Sequence, residues 1–411
     1  MQLLVVTQYF WPENFRVNDL VEELVQRGHE VTVLTGVPNY PDGKVFDDFV
    51  KDPQLYARYA GAEVVRVPML PRGRGGLRLM MNYITFAASA SILGAWKLRG
   101  RHFDAIFAYE PSPITVGLPA AMLRRFKCAP LVFWVLDLWP ETLQAIGVVK
   151  SRVVLRAVGK LVTFIYNRCD VVLAQSKSFI PQIRKYAAAH ARVEYFPSWA
   201  ETVFEAEPAT PASEVPVQPD AFNVMFAGNI GDAQDFPAIL DAAEALKAHE
   251  NIRWLIVGDG RASAWVSEEI CRRGLQRCVL MLGRHPLQRM PSLFAHAQAL
   301  LVSLKDEPIF SMTIPGKLQA YLAAGIPVLA MLNGEGAELV RRAGAGLTCA
   351  AGDHAGLASA VLQLSRMSFE ERSAMGNRGR AVCAEEFDRA TLIQRLEHYL
   401  QSAAASGLAT G

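Results

Sequence analysis

Two successive sets of short, nearly unbroken Val, Ile and Leu runs constrain this chain more than anything else in it. Runs of that kind suit strands buried on both faces, as in a parallel sheet covered by helices. In the first half they fall at Leu3–Thr7, Glu30–Thr35, Glu63–Pro68, Ala105–Tyr109, Leu131–Asp137, Val171–Ser176 and Val193–Phe196. The second set comprises Asn223–Ala227, Arg253–Val257, Val279–Leu282, Gln298–Leu304, Ile326–Leu332 and Gly346–Ala350. Helical patterns separate them; Asn18–Arg27, for example, has acids early and ends at Gly28, a usual helix stop. Between the sets lies EAEPATPASEVPVQPD (205–220), with four prolines and no periodicity, which reads as a linker or long surface loop. At 411 residues the chain is too long for one core. The pattern therefore predicts an α/β protein of two Rossmann-like domains joined near residue 200. The predicted boundaries are 1–200, a Pro-rich linker 201–221, a second domain 222–388, and a final helical segment 389–411 that packs back on the first domain.

Charge is unevenly spread. Residues 1–196 hold 24 Lys and Arg against 16 Asp and Glu, a net of +8; the remainder holds 18 against 24, a net of −6. Only the first half is thus suited to an anionic surface. No zinc finger or RNA-binding aromatic motif accompanies the charge, which argues against nucleic acid. The six cysteines show no CxxC and no metal-ligand spacing with histidine, as expected of reduced thiols in the cytoplasm. The opening MQLLVVTQYF has no cationic leader and reads as a first strand.

Two glycine-rich turns are candidate phosphate cradles. In FNVMFAGNIGDAQDFPAIL (222–240), Gly228 and Gly231 bracket a strand-to-helix turn, and the helix is expected from about Gln234. Glycines let backbone N–H groups approach an anion, and a helix amino end adds roughly half a positive charge. Gly258-Asp259-Gly260 forms a second turn on the next strand, so the two would share a crevice at the carboxyl edge of a sheet. Any strand-to-helix turn favours glycine, so each alone is weak evidence. The block Lys305–Met331, KDEPIFSMTIPGKLQAYLAAGIPVLAM, places an acidic loop, a Pro-Gly-Lys turn and a short helix between two strands. Lys317 there is either a surface lysine or a point charge for phosphate.

LAAGIPVLA (322–330), GNIG (228–231), VGDG (257–260) and LGR (282–284) together resemble the donor-site signature of family 4 retaining glycosyltransferases. That resemblance implies the GT-B fold, two Rossmann-like domains facing across a cleft. Within the family, QYFWPENFRVNDL (8–20), LTGVPNYPDGKVF (34–46) and the GNIG-x-x-Q pattern are most similar to bacterial surface-polysaccharide transferases, among them N-acetyl-L-fucosamine transferases. The resemblance implies a UDP-sugar donor held by Gly228, Asn229, Gly231, Gly258, Asp259, Arg284, Glu307, Lys317 and Gln319. Glu307 matches the family's sugar-binding acid. The chain departs from the family at Asn229 and Gln234, where an Arg and a Lys are usual, and at Ala320, where a second Glu is usual. Gln319 is the candidate substitute for that Glu, and Lys317 for the missing phosphate charge.

On the acceptor side, Glu13 and Arg16 in YFWPENFRVND (9–19) are unexpected beside a buried strand unless they face a ligand; the alternative is an ordinary solvated loop. Asp137 and Glu110 each follow a strand and are candidate catalytic carboxylates, with Glu13 a third. A helix cap is the plainer reading of Asp137. Where the family often carries His-Asp, Leu136-Asp137 stands here. Residues 79–96 carry no charge over 18 positions and have basic residues on both sides within 72–101. The run is either a helix buried in the first domain or an interfacial helix on anionic lipid; spanning a bilayer would split the sheet between compartments.

No DxD or HExxH occurs, so no metal site is expected, and no cofactor beyond the UDP-sugar substrate. The resemblance implies metal-independent transfer with retention, the departing β-phosphate oxygen taking the acceptor proton. Its implied acceptor is a polyprenyl diphosphate-linked sugar at the cytoplasmic membrane face, in O-antigen or capsule assembly. The alternatives are a UDP-sugar epimerase of the same fold and a non-catalytic nucleotide-sugar-binding protein. A dehydrogenase is disfavoured because no strand leads into GxGxxG with an acid about 20 residues on.

Overall fold

The computed structural model describes residues 1–408 except 42, 74, 146–148, 150, 190 and 205–209. The chain forms two units, Met1–Phe196 with Ala390–Gly411, and Pro197–Arg389. In the first, eight strands make one sheet: β1 (Gln2–Val6), β2 (Glu30–Gly36), β3 (Arg58–Tyr59), β4 (Ala62–Val67), β5 (Ala105–Glu110), β6 (Leu131–Val135), β7 (Val171–Ala174) and β8 (Arg192–Tyr195). Their order is β3-β4-β2-β1-β5-β6-β7-β8, parallel throughout except for the short β3–β4 pair. All residues of β5, β6 and β7 are buried, as their apolar runs require. The second sheet is wholly parallel: β9 (Phe222–Ala227), β10 (Ile252–Val257), β11 (Val279–Gly283), β12 (Ala299–Ser303), β13 (Val328–Met331) and β14 (Gly346–Cys349), ordered β11-β10-β9-β12-β13-β14. Two Rossmann-like α/β units are what the alternating pattern calls for.

Two expectations need correction. The first helix spans Arg16–Gln26, two residues earlier than its charge pattern suggested, because Asn18 spends its side chain on Glu13 O and Trp11 N instead of capping the helix. The helix placed at Gln234 begins at Phe236, after a single 3-10 turn, Asp232–Gln234. The Pro-rich segment is a surface loop, as its composition suggests, most of residues 210–220 being exposed, and it is tied down at a few points. Ala212 and Val215 are buried, Ala212 N donates to Ser292 O (2.9 Å), and Arg253 donates to Pro216 O (2.8 Å). Residues 205–209 of that segment lie outside the described residues.

The helix Arg389–Leu408 belongs, from Ala390 on, with the first unit. Glu397 pairs there with Arg27 (2.9 Å) and His29 (2.7 Å), and Arg395 donates to Tyr195 O (2.8 Å).

The uncharged run lies in one helix, Gly76–Lys97, with a π turn at Ala90–Gly94. Its inner face is fixed by Asn82, fully buried, which accepts from Gln8 (2.7 Å) and Tyr9 (3.0 Å) and donates to Leu70 O. Only 28% of its most apolar stretch is buried, and Leu77, Ile92 and Trp96 are 60–70% exposed. By length and composition it is long and apolar enough to cross a membrane. A buried core helix would hide these side chains, so that reading is set aside.

Candidate active site

In the second unit the two glycine turns lock together at the carboxyl edge of the sheet. Gly228 N donates to Val257 O (2.9 Å), Ile230 N to Asp259 O (2.9 Å) and Ala262 N to Ile230 O (3.0 Å). A Cβ on Gly258 would stand 1.8 Å from the Gly228 carbonyl oxygen, and Gly258 has φ +137°, so only glycine fits. Asn229 and Gln234 do not extend from this turn. Gln234 Oε1 accepts from Gly231 N (3.1 Å) and Asn229 Nδ2 (3.3 Å), so the amides brace the loop on itself.

Lys317 lies in the first turn of the helix Gly316–Ala324, and its ammonium reaches this same edge. Its Nζ sits 3.7 Å from the Phe226 ring centroid and 3.0 Å from where a Cβ on Gly228 would stand. The Nζ is buried, and among the described residues no group accepts a hydrogen bond from it. Burial alone, with no carboxylate to offset it, lowers its pKa to about 7. Gly228 thus leaves bare the one spot a side chain would cover, and a cation stands behind it. Tyr321, one turn along the same helix, holds this arrangement. Its hydroxyl accepts from Ala227 N (2.9 Å) and donates to Ala227 O (3.0 Å), tying the Lys317 helix to the end of β9. The sequence reading missed Tyr321; its one signal was a phenol among the apolar residues that end the helix.

The remaining donor candidates divide. Glu307 precedes the short helix Pro308–Met312, is half-buried, and has no side-chain partner among the described residues. Asp259 and Arg284 are exposed; Asp259 accepts from Gly260 N (2.7 Å), and with Ser263 this holds its carboxyl below the usual range. Gln319 does not replace the absent acid. It is 1% exposed, and in the orientation that satisfies its amide it donates to Pro315 O and Gly316 O (3.0 Å each). It braces the Pro-Gly-Lys turn from within.

The first unit gathers its candidates at the equivalent edge. Glu13, 3% exposed, accepts from Asn39 N and Tyr40 N (2.7 Å each) through one oxygen and from Phe10 N (3.1 Å) through the other. Burial pushes its pKa up to about 7 against the pull of these amides. The carboxylate is a bracket between the loops after β1 and β2, not an acid open to substrate. Arg66 completes the bracket, donating to Gly36 O (2.8 Å) and to Trp11 O. Arg16 opens the first helix and is half-buried.

Asp137 and Glu110 are adjacent. Asp137 N approaches Glu110 Oε2 (3.4 Å), and Leu136 N donates to Glu110 O (3.1 Å). Burial raises Asp137 to about 6, opposed by hydrogen bonds from Thr142, Trp139 and Ser112. Glu110 is fully buried, its Oε1 has no partner, and burial plus the neighbouring Asp137 charge hold it well above the ordinary carboxylate range. Burial thus raises both carboxyls above the ordinary range, and each charge disfavours the other. Glu110 has no exposed surface with which to touch an acceptor, so its place in the catalytic set is withdrawn and it stands as the buried support of Asp137. The polar companions Thr142, Trp139 and Ser112 were not singled out from sequence. Among the described residues no group of three His, Cys, Asp or Glu is placed to hold a metal ion.

A parallel α/β unit with a bare glycine turn over a lysine, joined in one chain to a second such unit, is the build of a GT-B glycosyltransferase. Residues 14–199 match the glycosyl transferase 4-like domain and residues 221–367 the glycosyl transferases group 1, so between them both units belong to that class. The chain is a glycosyltransferase of the GT-B type. It is 25% identical over 342 residues to WcaI of Escherichia coli strain K12, a protein named as a colanic acid biosynthesis glycosyl transferase; the match covers 79% of this chain and 82% of the other. Solved structures agree in fold. HepE of Anabaena in complex with UDP and glucose superposes with a TM-score of 0.69 at 16% identity, covering 98% of this chain and 100% of that one. Sucrose-phosphate synthase of Thermosynechococcus elongatus gives 0.73 at 15% identity, covering 99% and 100%. WaaG, a glycosyltransferase of lipopolysaccharide biosynthesis, gives 0.67 at 13% identity, covering 97% and 99%.

Proposed function

We propose that the chain transfers an N-acetylated amino sugar, N-acetyl-L-fucosamine being the candidate the sequence favours, from a UDP-sugar to a polyprenyl diphosphate-linked sugar. The pathway would be O-antigen or capsule assembly; the relatedness to a colanic acid transferase supports a surface polysaccharide. The observation that carries the donor side is Lys317, a buried ammonium with no partner among the described residues, beside the bare turn at Gly228. A nucleotide diphosphate supplies the missing counter-charge, and backbone N–H groups of the Gly228–Gly231 turn supply hydrogen bonds. Relatives of the same fold were crystallised with UDP-glucose and UDP-2-fluoro glucose. Glu307, open and near the same loop, is suited to hydroxyls of the donor sugar. Transfer with retention needs no metal in this reading. Lys317 and the turn stabilise the departing diphosphate, whose oxygen takes the acceptor proton, and Asp137 orients the acceptor hydroxyl.

The protein would work in the cytoplasm, peripheral on the inner membrane face, with the Gly76–Lys97 helix at the lipid boundary. Its exposed Leu77, Ile92 and Trp96, and the cations Arg78 and Lys97, support this. Arg74, counted among the flanking cations, lies outside the described residues. The test is calorimetric binding and donor hydrolysis over a panel of UDP-, GDP- and TDP-sugars, with Lys317→Ala beside wild type. Binding of one UDP-sugar, weakened at least about tenfold in the variant, supports the reading. Binding of no nucleotide would overturn it and favour a non-catalytic role.

A further inference from the structure

The first unit carries a lipid-like receptor site that neither the donor nor the acceptor chemistry uses. Three helices border it: Gly76–Lys97, Gly117–Lys127 and Arg152–Tyr166. Across them Lys and Arg occur eight times, at 78, 97, 124, 125, 127, 152, 156 and 160, and Asp and Glu not once. Arg124 is paired with Asp170 (2.8 Å), Lys97 donates to Arg66 O (2.8 Å) and Lys127 to Arg101 O (3.0 Å), and of the eight Arg125 lines the groove between the helices. Between them runs an apolar groove of about 500 Å³, floored by Ile84, Ala88, Leu118 and Met122. That volume lies within the range of small-molecule sites, roughly 300–1,000 Å³.

Two arginines belong to the lining of the groove. Arg125 is exposed and its guanidinium has no partner among the described residues. Arg168 is stacked on the Phe164 ring, 3.5 Å from its centroid, and donates to Phe164 O, which leaves its remaining N–H groups to solvent. Thr115, also in the lining, has its Oγ1 buried and without a hydrogen-bond partner among the described residues. On the bordering helices Ile92 (68% exposed), Trp96 (60%) and Val153 (69%) are exposed, with the Arg99 guanidinium 4.4 Å over the Trp96 ring. An apolar trough with two arginines in its lining, between helices without acids, is complementary to an amphiphile with an anionic head. An acidic protein partner would find cations on this face but few hydrogen-bonding groups between them.

We propose that this groove binds one anionic membrane phospholipid, its phosphate at Arg125 and Arg168 and one acyl chain lying against Ile84, Ala88, Leu118 and Met122. This rests on the peripheral-membrane reading above and sharpens it: the face is a site for a single lipid as well as a surface for adsorption. It also moves the anchor from one helix to three.

The test uses a lipid that dissolves as monomers, dihexanoyl phosphatidylglycerol, so that a site is separated from a surface. Wild-type protein should bind it saturably, one per chain, and bind dihexanoyl phosphatidylcholine at least about tenfold more weakly. Ala88→Trp fills the groove from an exposed position, and Arg125→Glu with Arg168→Glu reverses the charge in its lining; each should weaken binding about tenfold or more. UDP affinity, measured on the same variants, should stay at the wild-type value and reports that they are folded. Unsaturable or absent binding of the monomeric lipid would overturn the site, as would an Ala88→Trp variant that binds it normally. Self-association of lipid-free protein abolished by Ala88→Trp would also overturn it, assigning the groove to a second copy. Retained sedimentation of all variants with phosphatidylglycerol vesicles, with monomer binding lost only in the variants, leaves the adsorption reading standing and supports the site. Loss of UDP binding in wild type would instead count against the transferase reading alone.

Discussion

Glu13 and Lys317 occupy corresponding places, each at the carboxyl edge of a parallel sheet in its own unit, and the protein treats them oppositely. Glu13 is surrounded by donors: three backbone N–H groups at 2.7–3.1 Å and the nearby Arg66. Lys317 is surrounded by a ring face, a bare glycine and, among the described residues, no acceptor. A buried charge with its partners built in serves the fold, whereas one left without a partner costs stability and implies that the partner comes from outside. Charge and burial alone do not separate the two, since both are ionisable groups shifted to about 7. The count of protein partners separates them.

That contrast is most severely tested by removing the bracket. Glu13→Ala leaves three buried N–H groups without an acceptor, and urea unfolding should show a loss of about 3 kcal/mol or more. A loss below about 1 kcal/mol would mean the bracket is dispensable. Lys317→Met should act in the opposite direction. The folded-state pKa of Lys317 lies below its unfolded value, so its penalty is complete below about pH 7 and fades as pH rises towards the unfolded pKa. The variant should therefore be more stable than wild type at pH 6, by on the order of a few kcal/mol, with the difference shrinking by pH 10. Equal melting temperatures at pH 6 would contradict an unpaired ammonium.

A smaller effect is expected at Asp137, raised to about 6 by burial. Turnover with a lipid-linked acceptor should fall about tenfold per pH unit below that value, and Asp137→Asn should flatten the profile. An unchanged acid limb in the variant would remove Asp137 from the acceptor chemistry. The smallest effect belongs to Glu397, which pairs with Arg27 and His29 at 15% side-chain exposure. Glu397→Gln should cost about 1 kcal/mol or less in thermal unfolding, since partly exposed pairs contribute little.

The sheets were legible because a strand buried on both faces writes itself as an unbroken apolar run, and β6, β7 and β13 do so, while β5, β9 and β10 each carry one charged or polar residue in an otherwise apolar run. The glycine turns were legible for a related reason: Gly258 has no room for a Cβ, so the residue type records the contact. Side-chain roles were less so. Glu13, Gln319 and Asn229 read as ligand-facing polar residues, yet Glu13 accepts from backbone N–H groups of two loops, Gln319 donates to backbone carbonyls of its own turn, and Asn229 donates to Gln234. A polar residue at a sheet edge has the same letter whether it braces or binds, and only its neighbours in space decide. Tyr321 and Thr142 escaped notice because their partners, Ala227 and Asp137, depend on how the turns fold back. The exposed side of the Gly76–Lys97 helix was left open by sequence for the same reason, since an apolar helix has the same composition buried or bare.

The central claim is that Lys317 awaits a diphosphate, and the direct test is the heat of UDP binding at pH 8 in buffers of differing ionisation enthalpy. At that pH the phosphates of UDP are already ionised, while Lys317 is mostly neutral in the free protein. Binding should then charge the amine, with an uptake approaching about one proton per UDP that is absent in Lys317→Met, whose affinity should be much weaker. A buffer-independent heat in the wild type, or wild-type affinity in Lys317→Met, would contradict the account.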